Sequence, residues 1–201
     1  MERRDALKNL GLSIGGITMS STVVGLLQSC SGKSNLSWNP EIFDSQEAEL
    51  ITKTLEVILP KTEDIPGATE LNLTQFIDGY IKHVSGSEEQ KSIKKLAEKY
   101  LSTTKAKLGK KNVSDMTLDD IDSRLAYYLK ADKSQIDQWS SEDSDDASNY
   151  NFLNSLRSRG VSAFKMSEYI GEKVLAYSPI PGQQIGCVDL NEATGGKAWS
   201  I

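Results

Sequence analysis

Histidine and cysteine are almost missing from this chain: His83 stands alone, and the cysteines are Cys30 and Cys187. A Ser-His-Asp triad would have to use His83, which sits on a polar stretch beside Lys82 with no identifiable partner and reads as a surface or locally bonded residue. A zinc site needs cysteine and histidine in number. No C-x-x-C-H, no glycine-rich phosphate loop after a strand and no dinucleotide fingerprint occurs. No alternating β-branched run is long enough for a sheet, and no internal repeat is visible. Basic excess is lacking too: 23 basic residues face 28 acidic ones, a net charge of −5. That balance excludes a nucleic-acid binder, which needs a basic face to neutralise phosphates. The acidic run Glu142-Asp143-Ser144-Asp145-Asp146 lacks the glycine and the spaced terminal glutamate of an EF-hand, and reads as a solvated loop. Asp119 and Asp120 fall at a helix start, where the helix dipole alone accounts for them. Nothing in this inventory looks catalytic.

What is present begins at the N-terminus. Arg3-Arg4 precedes a short apolar stretch, Leu10 to Leu27, diluted by glycine, serine and threonine, and Cys30 closes it after small residues. The pair resembles a twin-arginine export signal, and Leu27-Gln28-Ser29-Cys30 resembles a lipoprotein cleavage site at which Cys30 becomes the lipidated first residue. Glu2, Ala6 and Gln28 depart from the usual neighbours of such motifs. A transmembrane anchor or an ordinary secretory signal is the alternative, although a spanning helix wants about 20 strongly apolar residues. The expected products are a signal over 1–29, a tether over 30–43 and one domain over 44–201. The expected location is outside the cytoplasm, as a periplasmic lipoprotein anchored to the membrane. Loss of 1–29 makes the remainder one unit more acidic. With Cys30 lipidated, Cys187 is left alone, either buried or bridged to another chain.

Helical spacing dominates the rest. Asp44 or Ser45 caps a first helix carrying Ala48, Ile51, Leu55, Ile58 and Leu59, and Pro60 ends it. Pro60, Pro66 and Gly67 punctuate the following loop. A second helix spans Leu73 to Val84, with Phe76, Tyr80 and Val84 on one side. Ser87 and Gln90 form a capping-box pattern opening a third helix, which ends near Gly109. Thr117 and Asp120 open a fourth, with Leu118, Ile121, Leu125, Tyr128 and Leu129 along its stripe. The last long helix is expected from about Asn149 to Tyr177, interrupted or bent near Gly160 and Gly171 and burying Leu153, Leu156, Phe164, Ile170 and Val174. The predicted class is all-α, a bundle of about five helices with an irregular Pro/Gly-rich tail.

Two stretches carry a resemblance. The first is Ile58-Leu59-Pro60 through Thr62 to Pro66-Gly67-Ala68, followed by Phe76-Ile77-Asp78. The second is Tyr177-Ser178-Pro179-Ile180-Pro181-Gly182 through Gly186-Cys187, running on to Gly195-Gly196 and Trp199. Together they resemble the small third subunit of gluconate 2-dehydrogenase and related FAD-dependent sugar dehydrogenases, over roughly residues 44 to 199. The resemblance implies a chain with no cofactor of its own. It accompanies a large FAD-containing subunit, often with a cytochrome c carrying haem c, and escorts the large subunit through export. The implied partner interface comprises Pro60, Pro66, Gly67, Tyr177, Pro179, Pro181, Gly182, Cys187 and Trp199. Stiff prolines and interface-type aromatics suit such a surface, while packing of both stretches onto their own bundle is the competing expectation. The different class of function is a stand-alone helical envelope lipoprotein.

Overall fold

The computed structural model describes residues 36–142, 144–178, 182 and 186–200. Arg3, Arg4, Cys30, Pro179 and Pro181 lie outside the described residues. The fold is all-α: α1 (Ser45–Ile58), α2 (Leu73–Val84), α3 (Ser87–Leu108), a 3-10 turn (Val113–Asp115), α4 (Leu118–Leu129), α5 (Lys133–Ser141), α6 (Asp145–Met166), a π-helical turn (Ile170–Val174) and α7 (Leu190–Thr194). Among the described residues no helix is long and apolar enough to cross a membrane.

Helix starts follow local chemistry. Asp44 accepts hydrogen bonds from the Gln46 and Glu47 amides, and Glu47 reaches back to the Asp44 amide. Thr117 and Asp120 repeat this reciprocal cap on α4. The box expected at Ser87 is not made, because Ser87 is already helical and Gly86 stands at the cap. The Gln90 amide instead donates to the carbonyls of Lys82 (2.9 Å) and Ser85 (2.8 Å). Open carbonyls at the end of α2 compete for that side chain, since the last turn of a helix has no partners of its own.

The two central helices are α1 and α6. The longer, α6, packs on α1 through α5, and α1 also meets α2, α3 and α4. Gly160 sits where they cross. A Cβ there would lie 2.6 Å from Leu55 Cδ2, and Leu55 is fully buried. The expected interruption at Gly160 is therefore corrected: the glycine permits close approach, α6 continues through it, and the helix ends at Ser167. Beyond the break Ile170 is buried and Val174 half-buried, and before it Phe164 is also only half-buried.

Asp132 caps α5, an element the periodicity did not predict. Its buried Trp139 lies among Tyr127, Tyr128 and Tyr150, with ring centroids 5.4, 5.7 and 6.1 Å away. The acidic run beside it is in part a helix start. Ser144 caps α6 and Asp145 and Asp146 form its first turn. Asp145 pairs with Lys99 at 2.8 Å, and Asp146 accepts from the Tyr127 and Tyr128 hydroxyls at 3.2 and 2.8 Å.

The segment expected as a tether packs on the domain from its first described residue. Leu36, Trp38 and Ile42 pack against the core and Phe43 enters it. Asp78, buried on α2, accepts from the amides of Glu41 (2.7 Å), Ile42 (3.1 Å) and Phe43 (3.1 Å). The Thr52 hydroxyl meets the Thr74 hydroxyl at 2.9 Å, joining α1 to the other end of α2.

Candidate partner-docking surface

The loop after α1 is built largely from its own backbone. Pro60 follows the α1 cap and cannot donate an amide. The Thr62 amide bonds Ile65 O at 2.9 Å, and the Ala68 amide closes onto Leu59 O at 2.9 Å. Glu56 fills the inside, accepting from the amides of Thr69 (2.8 Å) and Lys61 (3.3 Å). Gly67 is buried there, and a Cβ on it would stand 2.7 Å from Lys61 N and 2.5 Å from Glu56 Oε1. Gly67 thus closes the loop from within and is buried, whereas the expected interface counted it among its residues. Pro60 is exposed, Pro66 half-buried, and the tip Lys61–Asp64 points to solvent. The carboxylate of Glu70 bonds the Lys61 ammonium and holds it above its ordinary range. An open groove of about 370 Å³ separates this tip from Tyr169.

The tail folds back on itself. The Ala176 amide donates to Ala198 O (2.9 Å) and the Ser200 amide to Ala176 O (3.0 Å), pairing Ala176 with Trp199 in a parallel bridge. Beside it Tyr177 and Trp199 leave 41% and 52% of their surface exposed. They do not fill the core. Gly182 is exposed, as are Val188 and Leu190. Cys187 is exposed and unpaired among the described residues, so the buried alternative is set aside.

A second apolar surface lies on α2. Leu73, Ile77 and Ile81 enter the core, whereas Phe76, Tyr80 and Val84, the side picked out by periodicity, remain exposed. Phe76 and Tyr80 stand 6.2 Å apart between centroids. Across a groove from them α6 presents Ser158, Ser162, Ala163 and Met166. Met166 is the residue that sequence reasoning missed; its only signal was its place four residues after Ser162 on a helix face of small side chains. His83, 3.6 Å from Glu41, is a surface residue. Among the described residues no group of three or more His, Cys, Asp or Glu is placed to hold a metal ion.

Fold and surface define a helical module that presents apolar side chains on its tail and on one flank of α2. The chain belongs to the gluconate 2-dehydrogenase subunit 3 family, whose model matches residues 45–182. Comparison with curated proteins and with solved structures returns no significant match.

Proposed function

We propose that this chain is the small accessory subunit of an exported, membrane-associated FAD-dependent dehydrogenase acting on gluconate or a related sugar or alcohol. The observation that carries the reading is the family match over 45–182, a family named as a subunit of gluconate 2-dehydrogenase. The catalytic groups and the FAD belong to the large subunit, and haem c to a cytochrome c subunit where the complex has one. Tyr177 and Trp199 are the anchors that the tail offers to the flavoprotein, since exposed aromatics on a fixed backbone dominate binding energy at interfaces. Pro60 and Pro66 stiffen the loop after α1, and Pro179, Pro181 and Gly182 belong to the same proposed interface. Cys187 is exposed and is the thiol through which a disulfide to the partner would run; a native complex that releases the free chain on a non-reducing gel sinks that bond.

The N-terminal motifs supply the route. Arg3-Arg4 directs the folded pair through twin-arginine export, and lipid on Cys30 holds it at the membrane. Replacing both arginines with lysine traps this chain and its flavoprotein together in the cytoplasm; cell fractionation checks this, and normal export of the partner refutes the escort role. The direct test is a gentle detergent pull-down of the chain from its native envelope with an absorbance spectrum of the eluate. A co-eluting large protein with flavin bands is the expected result. A colourless, folded single chain overturns the proposal in favour of an independent helical lipoprotein.

A further inference from the structure

The chain ahead of α1 is clasped along α2. At one end of this strap Leu36 shares a hollow of about 100 Å³ with Asn72 and Gln75, at the start of α2. At the other end the buried Asp78 carboxylate accepts the amides of Glu41, Ile42 and Phe43, and Glu41 stands 3.6 Å from His83 near the end of α2. Opening the clasp would leave a buried carboxylate without its donors, which is costly.

The clasp decides how far the domain stands from a lipid on Cys30. Five residues separate Cys30 from Leu36, and whatever their conformation they span no more than about 20 Å. Acyl chains on Cys30 hold its backbone at the level of the headgroups. If the first fixed residue were Asp44 at the α1 cap, the reach would be about 50 Å, longer than the roughly 40 Å across a domain of this length. Any face could then turn to the membrane. With the strap docked the reach is about half the domain, so the end that carries Leu36 and the start of α2 stays next to the bilayer. The opposite end is marked by α6. Its residues Ser158, Ser162 and Met166 line a groove with Phe76 and Tyr80 of α2, and its start at Asp145 lies about 25 Å along the axis from Ser162.

The surface at the Leu36 end suits that place. No ionisable residue lines the hollow, on a chain that is 25% charged, and neighbouring Glu70 is already paired with Lys61. Ser37, Thr69, Asn72 and Gln75 in the lining neither repel anionic lipid nor have to shed the water of a charge. Trp38 is half-buried there, and an indole, with its apolar body and polar N–H, favours the boundary between bilayer and water.

We propose that the end of the domain formed by Leu36, Trp38 and the start of α2 lies against the lipid headgroups, with Asp78 as the clasp that keeps the leash short. The inference rests on the reading of Cys30 as a lipid anchor and adds an orientation to it. The test places a photo-crosslinking phenylalanine analogue at Gln75 or at Glu142, just ahead of α6, both exposed, in the full chain expressed in its native envelope with alkyne-tagged phospholipid. The acyl groups on Cys30 are read by mass in the same preparation. Crosslinks to phospholipid from position 75 and none from position 142 are expected on the acylated chain. An acylated chain that crosslinks to lipid equally from both positions, or from neither, overturns the orientation and leaves the anchor standing. Capture of a protein from position 75 in place of lipid overturns it as well. A chain without acyl groups removes the anchor reading and this inference with it. A second variant tests the leash itself. About twelve Gly/Ser residues inserted between Lys33 and Ser34 roughly triple its reach and leave the domain unaltered. Lipid crosslinks from position 75 then fall to the level of position 142; unchanged crosslinking overturns the role of the clasp.

Discussion

Gly67 has no room for a side chain, and the obstruction is main chain as well as the Glu56 carboxylate. The Lys61 nitrogen, 2.7 Å from the position of a Cβ, is fixed by the loop that Glu56 organises. Gly67→Ala must displace it, at a cost of about 1–3 kcal/mol, the usual range for overpacking. Urea unfolding measures this, and a loss below half a kcal/mol would show that the loop yields freely. Glu47 is the other residue whose surroundings make a prediction. Burial pushes its carboxyl above the ordinary range, against the lowering hydrogen bonds from Lys94 and the Asp44 amide. A folded-state value above the unfolded 4.5 means its stabilising contribution is complete below that pH and is lost as pH rises through the folded value. Glu47→Gln therefore flattens the fall in stability above pH 4.5, seen as urea midpoints compared with the unmutated chain from pH 4 to 7. Asp120 has the opposite sign. Lys110 and the Thr117 cap lower it to about 2, so its contribution is present above 3.8 and disappears as pH falls toward 2.

Helices reveal themselves in sequence to the degree that their own residues decide them. Asp44 with Glu47, and Thr117 with Asp120, are local caps, and α1 and α4 begin where those residues place them. Gln90 was misleading because its pattern is local but its competitor, the open end of α2, is not. Gly160 misled in the same way: whether a helical glycine interrupts its helix or permits a crossing depends on Leu55, over a hundred positions earlier. In α5 Ile136 and Trp139 are the apolar residues in a nine-residue polar stretch, too few to set a period. What holds that helix is Trp139 among three tyrosines. Trp139→Ala should cost about 3–5 kcal/mol and release α5, read as loss of near-ultraviolet circular dichroism together with a lower melting temperature. A near-native melt would mean the tyrosines close over the gap.

At the scale of the molecule the candidate site was half legible. Tyr177 and Trp199 announced themselves by residue type in a Pro/Gly tail, and both proved exposed. The stripe of Phe76, Tyr80 and Val84 was visible as apolar, but α2 carries apolar residues around much of its circumference. Only packing shows which part α1 and α6 leave uncovered. Tail and core are correspondingly separable: the main hydrophobic cluster draws its residues from Leu36 through Phe164 and none from beyond the π-helical turn. Ending the chain after Leu175 should leave the melting transition of the bundle within the ordinary range of a surface change, about 0.5 kcal/mol, while sharply reducing flavin co-purified per chain. Collapse of the melt would place the tail inside the folding unit. The helix that walls the groove has one more property. Asp78 ties α2 to the chain before α1, Thr74 ties it to α1, and Gln90 ties its last carbonyls to α3. A wall held at three points has little conformational freedom left to surrender on contact. Whatever binds there meets a finished surface, so encounter needs no rearrangement on this side and the lifetime of the contact is set by how fast the visitor lets go.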